Sequence, residues 1–246
     1  MIAIIPTRPQ TTREILKTGF LIWRKTFWRI LPFALMSGTL LMAQPWEVIK
    51  EGGAFIRFIP LLNSVLMLIL NAGMVYRIHS IIQKKDLGFK HALYIGFRKT
   101  PFLFIVSFLF LLGVVGGLML LIIPGLMLFI FLIFSTYLVI IADIKVLDSL
   151  KESYRLVSGH VWYVSCVVSL LILFCLMGAV LLTIVVMAII QLSAAFNFGV
   201  PTEAVAFFLV VLIYSWYTTY IYSNMLVLLY DLQIKSRLQE CYSVKV

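Results

Sequence analysis

Apolar positions in this chain run unbroken for lengths that no soluble helix needs. From Phe102 to Ala142 there are 41 residues without a Lys, Arg, Asp or Glu, and from Val161 to Thr202 there is again none. A helix that is apolar all round lies deep in a large protein or in a bilayer, and about 20 such residues cross the roughly 30 Å hydrocarbon core. Each run is about twice that length, so the pattern predicts an all-α integral membrane protein that crosses more than once.

The pattern divides into six transmembrane spans. The first covers 30–43 and the second 58–82. Pro124-Gly125 cuts the long run into a hairpin of two spans, 102–122 and 125–143, because 41 residues are too many for one crossing. The fifth covers 162–191, a small polar loop runs from Leu192 to Thr202, and the sixth covers 203–230. An even number of spans puts both termini on one side. The N-terminal arm, the stretches around 77–99 and 145–155, and the tail after Asp231 hold 18 of the 20 Lys and Arg residues, while the opposite loops hold only Lys50 and Arg57. Positive charge in short loops marks the inner face, so the expected topology is N-in, C-in. Carrying one of those cations through the bilayer centre costs about 2.5–3.5 kcal/mol on insertion scales.

The polar segments 11–28, 86–99 and 145–158, each leading into a span, resemble one another. Aligned on Arg24-Lys25-Thr26, Arg98-Lys99-Thr100 and Ser158-Gly159-His160, they place Phe20, Tyr94 and Tyr154 in one column and Trp28, Phe102 and Trp162 in another. Leu16, Phe20, Trp23 and Phe27 give the first segment an apolar helical face, and Thr11 with Glu14 makes a capping box at its start. In the third, Leu147, Leu150, Tyr154 and Val157 form the apolar face, and Asp148, Lys151, Glu152 and Arg155 fill the other. Such helices are expected to lie in the inner interface, basic groups toward anionic headgroups. The predicted architecture is a single polytopic domain of three repeats, each an interfacial amphipathic helix followed by a transmembrane hairpin.

Composition agrees with a bilayer as solvent: 63% of residues are hydrophobic and 12% charged, with a mean hydropathy of +1.08, against about 25% charged in globular chains. The excess of ten positive charges sits between spans, where it sets orientation, so no nucleic-acid partner is expected. Cys166 and Cys175 lie inside an apolar run and Cys241 in the basic tail, which reads as packing or free thiols. The opening residues, Met1 to Pro9, lack the apolar length and small-residue site of a cleaved signal.

The block Ile123 to Leu128, then Tyr137 to Asp143, then Asp148 to Trp162, resembles a recurring signature of the YciC-like bacterial membrane proteins. It is also similar to the membrane region attached to some glycerophosphoryl diester phosphodiesterases, and Glu14 to Trp28 is similar to the start of those proteins. The resemblance implies a six-helix bacterial inner-membrane protein with interfacial helices. In that family the catalysis belongs to a separate barrel, which this sequence does not carry, so no phosphodiesterase activity is implied.

Candidate chemistry is sparse. There is no Gly-rich phosphate loop, no His-Glu-x-x-His, and no Cys or His pair at metal spacing, so neither enzyme activity, cofactor nor metal is expected. Arg77 and His79 sit near the inner end of the second span, where both can snorkel to headgroups. Asp143 ends the fourth span beside Lys145, where local pairing or helix ending is expected, and Glu203 opens the sixth, where a carboxylate suits a helix N-terminus. Asn63, Ser64 and Asn71 on the second span, and Tyr214, Tyr217, Tyr220 and Asn224 along one face of the sixth, read as helix–helix glue or, for Asn63, Asn71, Tyr217 and Asn224, as a polar cleft. Gly113, Gly116 and Gly117 favour close packing within the bundle. Arg24, Lys25, Arg77, Arg98, Lys99, Lys151 and Arg155 are the expected contacts for anionic lipid. The functional expectation is a non-enzymatic factor that engages anionic membrane lipids or a partner membrane protein in envelope homeostasis. The alternatives are a transporter or channel for a small solute or lipid and, more remotely, a lipid-metabolising enzyme.

Overall fold

The computed structural model describes residues 9–42, 59–85, 87–196 and 202–243, and among them every regular element is helical. The helices are α1 (Thr12–Met42), α2 (Ile59–Ile82), α3 (Phe89–Leu120), α4 (Ile122–Leu132), α5 (Ser135–Ala142), α6 (Val146–Ser158), α7 (Val161–Phe196) and α8 (Thr202–Ser243). Among the described residues four stretches are long and apolar enough to cross a bilayer: Pro60–Ile82, Phe89–Leu120, Ile122–Ala142 and Val161–Ala188. The chain is therefore a membrane-embedded helical protein. The segments that hold Lys50, Arg57 and Phe58, and the turn at 197–201, lie outside the described residues.

Two expected joints do not exist. α1 runs unbroken through Pro32, where the sequence predicts an interfacial helix ending at 28 and a span beginning at 30. α3 likewise continues through Pro101, joining the segment 86–99 to the span 102–122. Proline removes one backbone donor, but a helix packed on neighbours in lipid accommodates that loss. The third segment does separate: α6 ends at Ser158, Gly159 and His160 turn the chain, and α7 begins at Val161. α7 then continues to Phe196, past the expected end at 191 and into the expected polar loop.

The hairpin turns earlier than the proline predicts. Leu121 is the extended residue, with φ −165° and ψ 148°, and Pro124 falls in the first turn of α4, where a missing N–H costs nothing. Gly117 makes the turn tight, since a Cβ there would lie 2.8 Å from the Cα of Gly125. Gly113 meets only the Leu132 side chain, at 3.5 Å, and Gly116 has open space. The glycines thus work within the bundle, and one of the three does most of that work.

The fourth expected span is interrupted at Ile133 and Phe134, between α4 and α5. Next to that break, the Phe131 carbonyl accepts a hydrogen bond from the Ser153 hydroxyl at 2.6 Å, and the Phe131 ring meets Tyr154 at 4.9 Å. α6 therefore docks on the interruption through small polar residues. Ser149, Ser153, Leu156 and Val157 are buried, while Leu147 and Tyr154, two of the residues expected on its apolar face, are exposed.

The core lies around α2 and the inner half of α8. Residues 72–75 and 78–80 are buried on nearly every side of α2, and so are all of 223–229 on α8. α1 lies along α8 as the most extensive helix pair in the molecule, and α3 lies along α2. On α1 the buried stripe is Ile15, Gly19, Ile22, Thr26, Ile30 and Phe33. It adjoins the expected face of Leu16, Phe20, Trp23 and Phe27, of which Phe20 is exposed and the others are half-buried. The carboxylate arm of the expected capping box forms, with the Thr11 backbone N–H and hydroxyl both donating to Glu14 Oε2, at 2.9 and 3.2 Å.

Candidate functional site

Three features could carry function: a basic and aromatic surface, a small cavity between helices, and a buried polar hub.

The cations and aromatic rings concerned lie on α1, α3 and α6, with Trp162 at the start of α7. Arg24, Lys25, Arg98, Lys151 and Arg155 are exposed. The aromatic residues of the two aligned columns, Phe20, Tyr94 and Tyr154 with Trp28, Phe102 and Trp162, are exposed as well. Residues on the other side of the same three segments, Ile22, Gly96 and Leu156, are buried in equivalent register. Two of the seven expected lipid contacts stand apart. Lys99 is 12% exposed and pairs with Asp143, which caps α5 in the left-handed conformation at φ 56°. Asp143 thus ends the helix, one of the two roles expected of it, while its carboxylate pairs with Lys99 of α3 and not locally with Lys145. Arg77 is half-buried, and His79 is buried with its Nδ1 2.5 Å from the Tyr230 hydroxyl. His79 departs from the snorkelling position that the sequence suggests, because α2 occupies the centre of the bundle and the ring is turned to Tyr230 of α8.

The polar cleft is not assembled from the four residues expected to form it. Asn63 donates from Nδ2 to the Leu40 carbonyl of α1 at 2.7 Å. Asn224 is fully buried and lies against Gly19, where a Cβ would come within 2.1 Å of its Oδ1. Tyr217 points the other way, its hydroxyl seated over Gly178 of α7, and Phe174 stands 5.4 Å from its ring. α8 has neighbours on several sides, so residues at spacings of three and four still diverge over its length. Only Asn71 faces a cavity. That cavity, of about 160 Å³, lies between α2, α3, α5 and α8, and its polar lining is Asn71, Ser107, Thr136, Tyr137 and Tyr222.

The hub joins the N-terminal strand of chain to α7 and α8 and went unrecognised in the sequence. Asp231 has no solvent exposure. Its Oδ1 accepts from the Gln10 backbone N–H at 2.6 Å, and its Oδ2 accepts from the Tyr163 hydroxyl at 2.9 Å and the Lys235 ammonium at 2.7 Å. The Gln10 carbonyl accepts from Tyr163 and Lys235 in turn, at 2.9 and 3.2 Å. The ammonium also lies 3.4 Å from the centre of the Tyr163 ring. A buried carboxylate is tolerable only when paired and hydrogen-bonded, and here both oxygens are. His160 lies alongside: burial holds its imidazole below the ordinary histidine range, Lys235 adds to that, and Asp231 opposes it. The one sequence signal available was the i, i+4 spacing of Asp231 and Lys235, which reads as an exposed helix pair in any basic tail.

Cys166 is exposed, Cys175 is half-buried, both are free thiols, and the side chain of Cys241 lies outside the described residues, as does that of Glu203. Among the described residues no three His, Cys, Asp or Glu side chains gather where they could hold a metal ion. Set against protein-family models, curated proteins and solved structures, the chain matches none. The likeness of residues 123–162 to YciC-like proteins therefore rests on the motifs themselves.

Proposed function

We propose that this protein is a multi-pass protein of the bacterial inner membrane that engages anionic lipids, alone or together with a partner membrane protein, and acts without catalysing a reaction. The observation that carries this reading is the shared exposure of cations and aromatic rings on α1, α3 and α6. Aromatic rings at headgroup level with Lys and Arg beside them are the chemistry of an anionic membrane surface. Each nearby cation contributes about 1 kcal/mol toward a negative leaflet. The common register of exposed columns and buried positions favours three related units, each an amphipathic segment and a hairpin. With α1 and α8 counted as crossings, six spans and an N-in, C-in topology follow from the distribution of positive charge.

Native mass spectrometry of the protein extracted gently from its own membrane tests this. Anionic lipid or a second protein retained at defined stoichiometry is the expected result; a bare monomer under conditions that keep lipid on a control membrane protein rejects it.

One observation favours a second reading, passage of a small solute. Asn71 presents an amide to the cavity between α2, α3, α5 and α8, and its Oδ1 is buried without a hydrogen bond. If that cavity lies on a route, solute flux into proteoliposomes falls at least tenfold on Asn71→Leu. Equal flux in the variant and the wild type, or none in either, removes the reading.

A further inference from the structure

A further concavity lies between α4 and α7. It is a groove of about 660 Å³, within the range of ligand pockets, walled on one side by Leu126, Met127 and Ile130 of α4 and on the other by Val168 and Ile172 of α7. Its mouth is the α6–α7 turn, Ser158 and Gly159, with Trp162 beside it. Both walls are apolar and leave a gap between them, with Leu126, Met127 and Ile172 exposed. An occupant must therefore be apolar for most of its length.

It must also be polar at one end. Ser158, Ser165 and Ser169 line the groove at spacings of seven and four, and the mouth lies one helical turn beyond Arg155, on a helix that exposes Lys151 and Arg155. Trp162 is 90% exposed at that mouth, an amphipathic ring suited to the boundary between headgroup and acyl chain. A molecule with an elongated apolar tail and a polar head matches a groove of this lining, and the exposed Lys151 with Arg155, whose guanidinium lies 3.8 Å from Glu152, stand on the helix that leads to it. In a membrane that molecule is a phospholipid.

We propose that the groove between α4 and α7 holds one anionic phospholipid as a resident ligand, an acyl chain against Ile130, Val168 and Ile172 and its phosphate at the α6–α7 turn within reach of Arg155 and Lys151. The proposal deepens the anionic-lipid reading and rests on it for the identity of the head, but not for the tail.

The test uses delipidated full-length protein titrated with phosphatidylglycerol or phosphatidylcholine and read by native mass spectrometry. Three variants accompany the wild type: Ser169→Trp, which fills the groove; Val185→Trp, which adds the same bulk to an exposed site further along α7; and Arg155→Gln with Lys151→Gln. Far-UV circular dichroism and a monodisperse elution profile establish that each is folded. The expected result is one lipid that survives collisional activation, at least tenfold preferred as phosphatidylglycerol, lost in Ser169→Trp and kept in Val185→Trp. In the double glutamine variant the lipid stays and the preference collapses. A photo-crosslinking residue placed at Ile172 is expected to label that lipid's acyl chain.

Retention of the same lipid by a folded Ser169→Trp, or a second copy of the chain seated in its place, overturns the proposal. Selective anionic lipid that is indifferent to Ser169→Trp leaves the broader reading standing and removes the groove. One lipid lost in Ser169→Trp but held without regard to its head keeps the tail site and removes the anionic reading.

Discussion

Asp231→Ala is expected to destabilise the folded protein by about 3–5 kcal/mol, the cost of breaking a buried ion pair from one side. The deletion takes the carboxylate from three groups at once: the Lys235 ammonium, only 15% exposed, the Tyr163 hydroxyl and the Gln10 backbone N–H. The first two keep only the Gln10 carbonyl as acceptor. Gln10 then loses its N–H anchor on α8 and is held only through its carbonyl, by Tyr163 of α7 and Lys235 of α8. Equilibrium unfolding in detergent or bicelles, followed by circular dichroism, reads the effect. Asp231→Asn, which keeps an acceptor but no charge, is expected to lose less, and Asp231→Leu combined with Lys235→Met is expected to recover much of the loss. A change below about 1 kcal/mol in Asp231→Ala, the size of an exposed surface pair, contradicts the burial described above.

Gly96→Leu is expected to be the most disruptive change on the lipid-embedded side. α2 and α3 approach backbone to backbone there: a Cβ on Gly96 would sit 2.5 Å from the Ile69 carbonyl oxygen and 3.1 Å from the Gly73 nitrogen. Neither atom belongs to a side chain that can swing aside, so the helices must separate. Overpacking a well-filled interface costs typically about 1–3 kcal/mol and more when backbone must move, so a loss of about 3 kcal/mol is expected. Gly88→Leu is the matched control, because its Cβ would meet nothing within 4 Å, and it is expected to leave stability nearly unchanged. Equal effects at the two positions contradict the close approach of α2 and α3.

These two sites show how far the sequence speaks. A lipid-embedded helix announces itself through length and apolarity alone, so the runs 102–142 and 161–202 are plain from composition. Which face of such a helix meets protein is another matter. The apolar faces that carry Leu147 and Tyr154 of α6 and Phe20 of α1 are expected to lie toward the membrane, and these three side chains are exposed. In lipid the large apolar side chains can face the tails while small residues let backbones meet. The buried positions are accordingly Ser149 and Ser153 on α6, Gly19 on α1 and Gly96 on α3.

Proline misled for a related reason. Pro32 and Pro101 mark boundaries in soluble helices but sit inside α1 and α3, while the real turn, at Leu121, has no punctuating residue of its own. The polar cleft failed because shared spacing on one helix says nothing about how many neighbours that helix has. Asn224 and Tyr217 of α8 lie on different neighbours, α1 and α7. The Asp231 hub was illegible because its partners are separated by up to 225 positions, as Gln10 and Lys235 are. No local pattern encodes such a pairing.

The lipid shell itself is the most direct measurement of the central claim. The protein is reconstituted in nanodiscs of equal phosphatidylglycerol and phosphatidylcholine, and the lipids that remain after gentle removal of the bulk are counted by mass spectrometry. Several-fold enrichment of phosphatidylglycerol around the wild type is expected, falling to the bulk ratio when Arg24, Lys25, Arg98, Lys151 and Arg155 are replaced together by glutamine. A wild-type shell at the bulk ratio, or enrichment unchanged by those five substitutions, contradicts the assignment of this face to anionic lipid.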